Sequence, residues 1–222
     1  MRGIMPLVFA ALASVALLAG CSGPRSLERV RLDGDKNFTY NRYQQASADY
    51  QELIDRDPND WRYRVKLAET LAILGEQDRA EEHLAIVAGV RPNDDAIAER
   101  FAQAMFDAGH HDRLISYLQR RAHDTGSVHD YLRLGWFAVE TGDADLAERA
   151  LLTAARLDHG RTLEPQVALA DFYLAAGDHE EGLRRLRMAL YLDPANEAVR
   201  QRLRALGEVP GPSLAIVPDE QG

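Results

Sequence analysis

The chain has 222 residues, with 26 Lys and Arg set against 35 Asp and Glu, and it contains a single Cys. That acidic balance leaves no electrostatic footprint for nucleic acid or for an anionic bilayer, and one cysteine excludes an internal disulfide framework. The roughly 200 residues beyond the N-terminal apolar run suit one domain or one short repeat array.

Met1-Arg2-Gly3 carries the chain amine and one positive charge, and Ile4 to Leu18 is apolar apart from Ser14. Ala19, Gly20 and Cys21 close the segment. A positive start, a short apolar run and small residues before a cut site describe a secretory signal peptide. The run falls short of the about 20 apolar residues a membrane-spanning helix needs. Residues 1–20 therefore read as a leader removed before Cys21. Leu18-Ala19-Gly20-Cys21 resembles the lipobox of bacterial lipoproteins. The resemblance implies that Cys21 becomes the first mature residue and carries acyl chains, a covalent lipid, with no other cofactor expected. Ser22, in place of Asp, implies release to the outer membrane of a Gram-negative host, facing the periplasm. An ordinary leader with an incidental cysteine is the alternative. A thiol with no disulfide partner in an oxidising compartment favours lipidation, and several acyl chains would be needed for stable anchoring.

Beyond the leader a period emerges. Pro58, Pro92 and Pro194 lie on a ladder of 34 residues whose two intermediate rungs are Gly126 and Gly160. Every rung is thus a residue that ends helices. Gly75, Gly109, Gly142 and Gly177 form a second ladder, with Asn41 in the place below; Asn is the non-glycine residue that best tolerates left-handed backbone. Between the ladders the pattern is helix, short turn, helix. The first helices carry Leu67-Ala68, Phe101-Ala102, Leu134-Gly135 and Leu169-Ala170 at matching places. The second helices carry Ala80, Leu114, Ala147 and Gly182, followed four residues later by Leu84, Leu118, Leu151 and Leu186. Large beside small lets antiparallel helices approach and interlock. No strand-like alternation of useful length appears.

This pattern resembles the tetratricopeptide repeat (TPR), which implies an all-α, right-handed solenoid of antiparallel helix pairs over residues 41–194. The array would hold a half repeat, Gln45 to Pro58, plus four repeats ending near residues 92, 126, 160 and 194. Residues 21–40 read as a tether and degenerate cap, because Asp33 stands where a core leucine belongs. In the third of the second helices Arg121 replaces a small residue and Leu114 is bulky at the tightest contact, so the repeat ending near residue 126 should pack loosely or bend there. Residues 195–207 read as a capping helix, since Arg204 at a small position blocks another unit. Residues 208–222, with Pro210, Pro212 and Pro218, read as a disordered tail.

No catalytic constellation stands out, and the chain reads as a non-enzyme. His110-His111-Asp112 lies in a turn as a solvated loop, and Glu81-Glu82 and Glu180-Glu181 sit near second-helix starts, where the helix dipole favours negative charge. In TPR arrays the first helix of each unit lines the concave groove. On that face Lys66, Arg100 and Arg133 form a column, with Arg62 before it and Glu69, Gln103, Trp136 and Asp171 three residues on. The expected partner is a protein, through an acidic or C-terminal segment lying along the cations with Trp136 as apolar anchor. The alternative is a solvated face whose cations pair with local carboxylates and whose Trp136 packs on a neighbouring helix. The asparagines of the family's carboxylate clamp are absent. By analogy alone, a lipoprotein of this build resembles secretion and pilus-assembly factors, with adaptors for peptidoglycan hydrolases or outer-membrane protein assembly as the alternative. An enzyme or small-ligand binder in the groove is the remote one.

Overall fold

The computed structural model describes residues 24–221. The leader and Cys21 lie outside the described residues. Eleven α-helices follow one another among the described residues, with no strand. They are α1 Leu27–Thr39, α2 Tyr43–Arg56, α3 Trp61–Ile73, α4 Gln77–Val90, α5 Asp95–Asp107 and α6 His111–Thr125. Then come α7 Val128–Glu140, α8 Ala144–Asp158, α9 Leu163–Ala175, α10 His179–Leu192 and α11 Glu197–Ala205. Each packs chiefly on the helix before and after it, so the array is five helix pairs and a final single helix.

Local chemistry sets the boundaries. Ser26, Asp60, Asp94, Ser127, Asp143 and Asp178 each accept an N–H from the first turn of the helix they precede, satisfying donors that the helix leaves unpaired. Within the pairs, the turns after α1, α3, α5, α7 and α9 repeat one device. The left-handed residue is Asn41 (φ 58°) in the first and a glycine in the others. The residue after it donates back to the helix, as Glu76 N–H does to the Leu71 carbonyl at 2.9 Å. This closes the helix end in a Schellman pattern.

The small positions do what close approach demands. A Cβ on Gly135 of α7 would lie 2.5 Å from the Leu151 side chain of α8. Opposite, Leu134, Phe137, Ala138, Ala147 and Leu151 are buried. The third pair differs: α5 and α6 touch least of the five. Leu114 holds the helices apart at what is elsewhere a small contact, and the Arg121 side chain fills the gap and is buried there.

Two boundaries depart from the sequence reading. Residues 27–39 are not a tether but a complete helix, and α1 packs on α2 more extensively than α3 does on α4. Gly34 occupies the small position, with Tyr50 Cε1 3.0 Å from where its Cβ would be, and Val30 is fully buried. Asp33 holds the leucine position at the outer edge, where Arg25 (3.3 Å) and Arg29 (3.2 Å) neutralise it. Residues 208–221 are not a disordered tail either. They fold back across α10, and Leu214 and Ala215 join the core cluster of Ala170, Leu186, Leu190 and Leu203.

Candidate functional site

Three of the residues singled out on the first-helix face meet in one groove, between α3 and α5 with α4 as its floor. Its cavity is about 310 Å³. Ala68, Ala72, Ala80, Leu84 and Ala104 make the apolar bottom, and Glu69, Arg100, Gln103 and Asp107 rise along the walls. The groove is open because alanine stands wherever a larger side chain would fill it. One repeat later, Ala104 is succeeded by Phe137 and Gln103 by Trp136. Phe137 packs against Phe106 at 5.8 Å and Trp136 at 4.5 Å between ring centroids, so the space between α5 and α7 is occupied by rings.

The polar groups of the groove are mostly tied to each other. Arg100 pairs with Glu69 across the two helices. Gln103 Nε2 donates to Asp107 Oδ1 at 2.7 Å. Gln77 donates to the Ala72 carbonyl at 3.3 Å, and its own Oε1 is buried without a hydrogen-bond partner.

The expected column of three cations does not form. Lys66 is exposed, with its ammonium 5.8 Å from the Phe38 ring centroid. Arg133 is inside the array: its side chain is 2 % exposed and its guanidinium meets Asp130, Glu99 (2.6 Å) and the Asp95 carbonyl (3.3 Å). The sequence places Arg133 in register with Lys66 and Arg100, but Asp130, one turn earlier on α7, draws it inward. Arg121 reaches the same carboxylate from α6 at 2.8 Å and also binds Asp95 at 2.6 Å and the Pro92 carbonyl. Burial works against ionisation of Asp130, but hydrogen bonds from Arg121 and Thr125 and the two guanidinium charges outweigh it, so the carboxyl stays below its usual range. This network joins α5, α6 and α7 where they otherwise touch least.

The remaining residues scatter. Trp136 is 48 % exposed on the same face. Asp171 pairs with Arg202 of α11 at 2.7 Å. Arg62 stacks over Trp61 and pairs with the cap residue Asp60 at 3.2 Å. Among the described residues no group of three His, Cys, Asp or Glu could hold a metal ion, and no helix is long and apolar enough to cross a membrane. His110 bonds Glu81 across the α4–α6 junction and does not point at a shared site with His111, whose ring stacks on Phe106 at 5.2 Å.

With the helix order and groove in hand, comparison with solved structures decides the architecture. A crystal structure of the MamA protein superposes at TM-score 0.56 with 21% identity, covering 86% of this chain and 98% of that one. TTC0263, a thermophilic TPR protein of Thermus thermophilus, gives 0.52 at 22% identity over 81% of this chain and 98% of its own. The chain has the TPR fold. YrrB, described as a TPR protein with an unusual peptide-binding site, gives TM-score 0.51 at 13% identity over 77% of this chain and 88% of its own. No protein-family profile and no curated protein sequence matches the chain. At these identities the likeness is one of fold. In TPR terms α1, α3, α5, α7 and α9 are the A helices and α2, α4, α6, α8 and α10 the B helices, five complete units in place of four and a half.

Proposed function

We propose that the protein is an interaction scaffold whose A-helix groove between α3 and α5 grips an extended segment of a partner protein. The observation that carries this reading is the open alanine floor between polar walls. The floor accepts a small apolar side chain, and the wall offers Gln103 to a peptide backbone. The exposed half of Trp136 extends the apolar track into the next repeat.

The groove's charge favours a neutral or basic segment over the acidic one expected from the sequence. Arg100 is matched by Glu69 and the buried Arg133 by Glu99, while Asp107 adds to the wall a carboxylate without a cation partner among the described residues. An acidic segment would find only Lys66 of the column without a carboxylate partner among the described residues. Fluorescence anisotropy with Ala-containing peptides of opposite charge tests this directly. Basic peptides should bind more tightly, and Ala72→Leu should weaken the binding by filling the floor. Tighter binding of acidic peptides, or no effect of the plug, would overturn the assignment.

The cellular setting we propose is attachment through acyl chains on Cys21 to the outer membrane, with the array in the periplasm. A scaffold so placed would serve the assembly of a multi-protein secretion or pilus system. The Leu18-Ala19-Gly20-Cys21 sequence supports the anchor. Fatty-acid labelling of wild type beside Cys21→Ser tests it separately from the groove: an unlabelled, soluble wild type would refute the anchor alone. A photocrosslinker at Gln103 would capture the partner in cells.

A further inference from the structure

The folded-back C-terminal segment occupies a second groove, on the other side of the array from the A-helix face. Gly207, Pro210, Gly211 and Pro212 turn the chain after α11, and from Leu214 it runs along α10. The Ile216 N–H donates to the Arg187 carbonyl at 3.3 Å, and Arg187 Nε donates to the Leu214 carbonyl at 2.8 Å. Pro218 is buried over Gly160, where an added Cβ would come 2.7 Å from the proline ring. Glu220 then reaches under the surface. It accepts from Arg185 Nη1 at 2.7 Å and from Gln166 Nε2 at 2.9 Å, while Asp219 pairs with Arg184.

The groove meets the segment with a cation and an amide. Under the segment, Gln166 and Arg185 are 0 % and 5 % exposed. Without the segment, the closest carboxylate to Arg185 would be Glu181, at 3.9 Å from Nε. With the segment in place the guanidinium is covered, and Glu220 supplies its nearest anion; withdrawing the segment would leave Arg185 with Gln166 Oε1 at 3.1 Å and without a close carboxylate. Two repeats earlier, the equivalent groove has Pro92 at the place of Gly160 and Tyr117 at that of Arg185, and it is uncovered. Nothing in the repeat pattern therefore requires a buried Arg and Gln there.

We propose that this groove is a peptide-binding site in its own right. It takes segments of the form Leu-x-Ile-x-Pro-acidic-acidic from another protein, extended to the proline and turning at the acidic pair as Asp219–Gln221 do, and residues 214–221 are its built-in, displaceable occupant. The proposal stands independently of the A-helix groove. Release gives up the apolar contacts of Leu214, Ala215 and Pro218 and turns on a Gly/Pro hinge, and Val217 already faces solvent. A tethered occupant competes at an effective concentration of order millimolar, so only a matching segment gains entry.

The probe is a fluorescein-labelled peptide with the sequence of residues 209–221, added to the full chain. In the double variant Asp219→Lys/Glu220→Lys the built-in segment is repelled by Arg184 and Arg185 while the groove is intact. The peptide should bind this variant roughly tenfold or more tightly than wild type. Adding Gly160→Asn should abolish that binding, because Asn tolerates the left-handed backbone but its side chain meets the proline. No binding to a folded double variant would overturn the proposal. So would hydrogen exchange of wild type in which the Ile216 amide opens only with global unfolding, a measurement that needs no variant. Exchange of C-terminal segments between differently labelled wild-type copies, with dimerisation, would assign the groove to a second copy and overturn the partner reading.

Discussion

Asp130→Ala tests whether a buried ion network, and not apolar packing, holds the third and fourth repeats together. Asp130 is 2 % exposed in its side chain and shared by Arg121 and Arg133, themselves 8 % and 2 % exposed. Removing one partner of a buried pair costs about 3–5 kcal/mol, because it strands the opposite charge. Here both guanidinium groups keep a second acceptor: Asp95 and the Pro92 carbonyl for Arg121, Glu99 and the Asp95 carbonyl for Arg133. Glu99 and Asp95 are more than half exposed, so they compensate only in part. The expected loss is therefore at the low end, about 3 kcal/mol. Urea unfolding followed by circular dichroism reads it as a lowered midpoint. Arg100→Ala, which breaks the exposed pair with Glu69, is the control and should cost no more than about 1 kcal/mol. The pH dependence follows from the carboxyl held below its usual range. A depressed folded-state pKa gives stability that is present above the unfolded value, about 3.9, and lost as pH falls through the folded value. Wild type and Asp130→Asn should thus differ at pH 7 and converge in strong acid. A difference under about 1 kcal/mol at pH 7 between wild type and Asp130→Ala would refute the reasoning.

Three further outcomes are expected. Ala72→Leu should weaken basic-peptide binding by about tenfold or more while leaving the urea midpoint nearly unchanged, since the added atoms enter the open groove and not the core. Gly135→Leu, by contrast, should destabilise strongly, because even a Cβ collides with Leu151; a near-native midpoint would show that α7 and α8 can separate at no cost. Glu220 is held below its usual range, the Arg185 and Gln166 hydrogen bonds and the Arg185 charge outweighing its burial. Arg184, Asp219, His159 and Arg161 are the other charged or titratable groups around it. The segment's anchoring is then complete near neutrality and lost as pH falls through the depressed value, and a spin label at Val217 in a Cys21→Ser background should turn from slow to fast motion in acid while circular dichroism persists.

The repeat was legible because its signals are local. Gly75, Gly109, Gly142 and Gly177 mark left-handed turns that only glycine enters freely, and Asn41 marked the fifth by the same conformational rule. The same local logic misjudged α1. Asp33 breaks the leucine pattern, but Gly34 beside it supplies the close approach, and Arg25 and Arg29 supply the counter-charge. The tail misled for a related reason: Pro210, Pro212 and Pro218 signal no regular element, yet Glu220 finds Arg185 and Gln166, which lie 35 and 54 residues away. Such pairings have no sequence spacing to betray them. In the candidate site, register alone put Lys66, Arg100 and Arg133 in a column. It could not reveal that Asp130, on the same helix, holds Arg133 inside. The alanine floor was written in the small residues of the repeat, but its openness depends on Phe137 and Trp136 arriving only one unit later.

The helical start also changes how an anchored array would sit. With residues 21–40 as a free tether, the solenoid could range to about 70 Å from its lipid. Instead the chain is fixed at Arg25, which pairs with Asp49 at 2.9 Å and with Glu52, and whose carbonyl accepts from Arg56. Four residues from Cys21 reach at most about 14 Å. If Cys21 carries acyl chains, the start of α1 and the adjoining end of α2 lie at the headgroups, and we expect the array to rise from that end. A fluorophore at Asn59, in the turn beyond α2, should then transfer energy efficiently to an acceptor lipid, while one at Arg204, in α11, should transfer weakly. Substituting Arg25, Asp49 and Glu52 with Ala would loosen the start of α1 and lower transfer at Asn59 without detaching the protein. Equal transfer at both positions in membrane-bound wild type would show that the array lies flat, and the argument from the Arg25 clamp would fail.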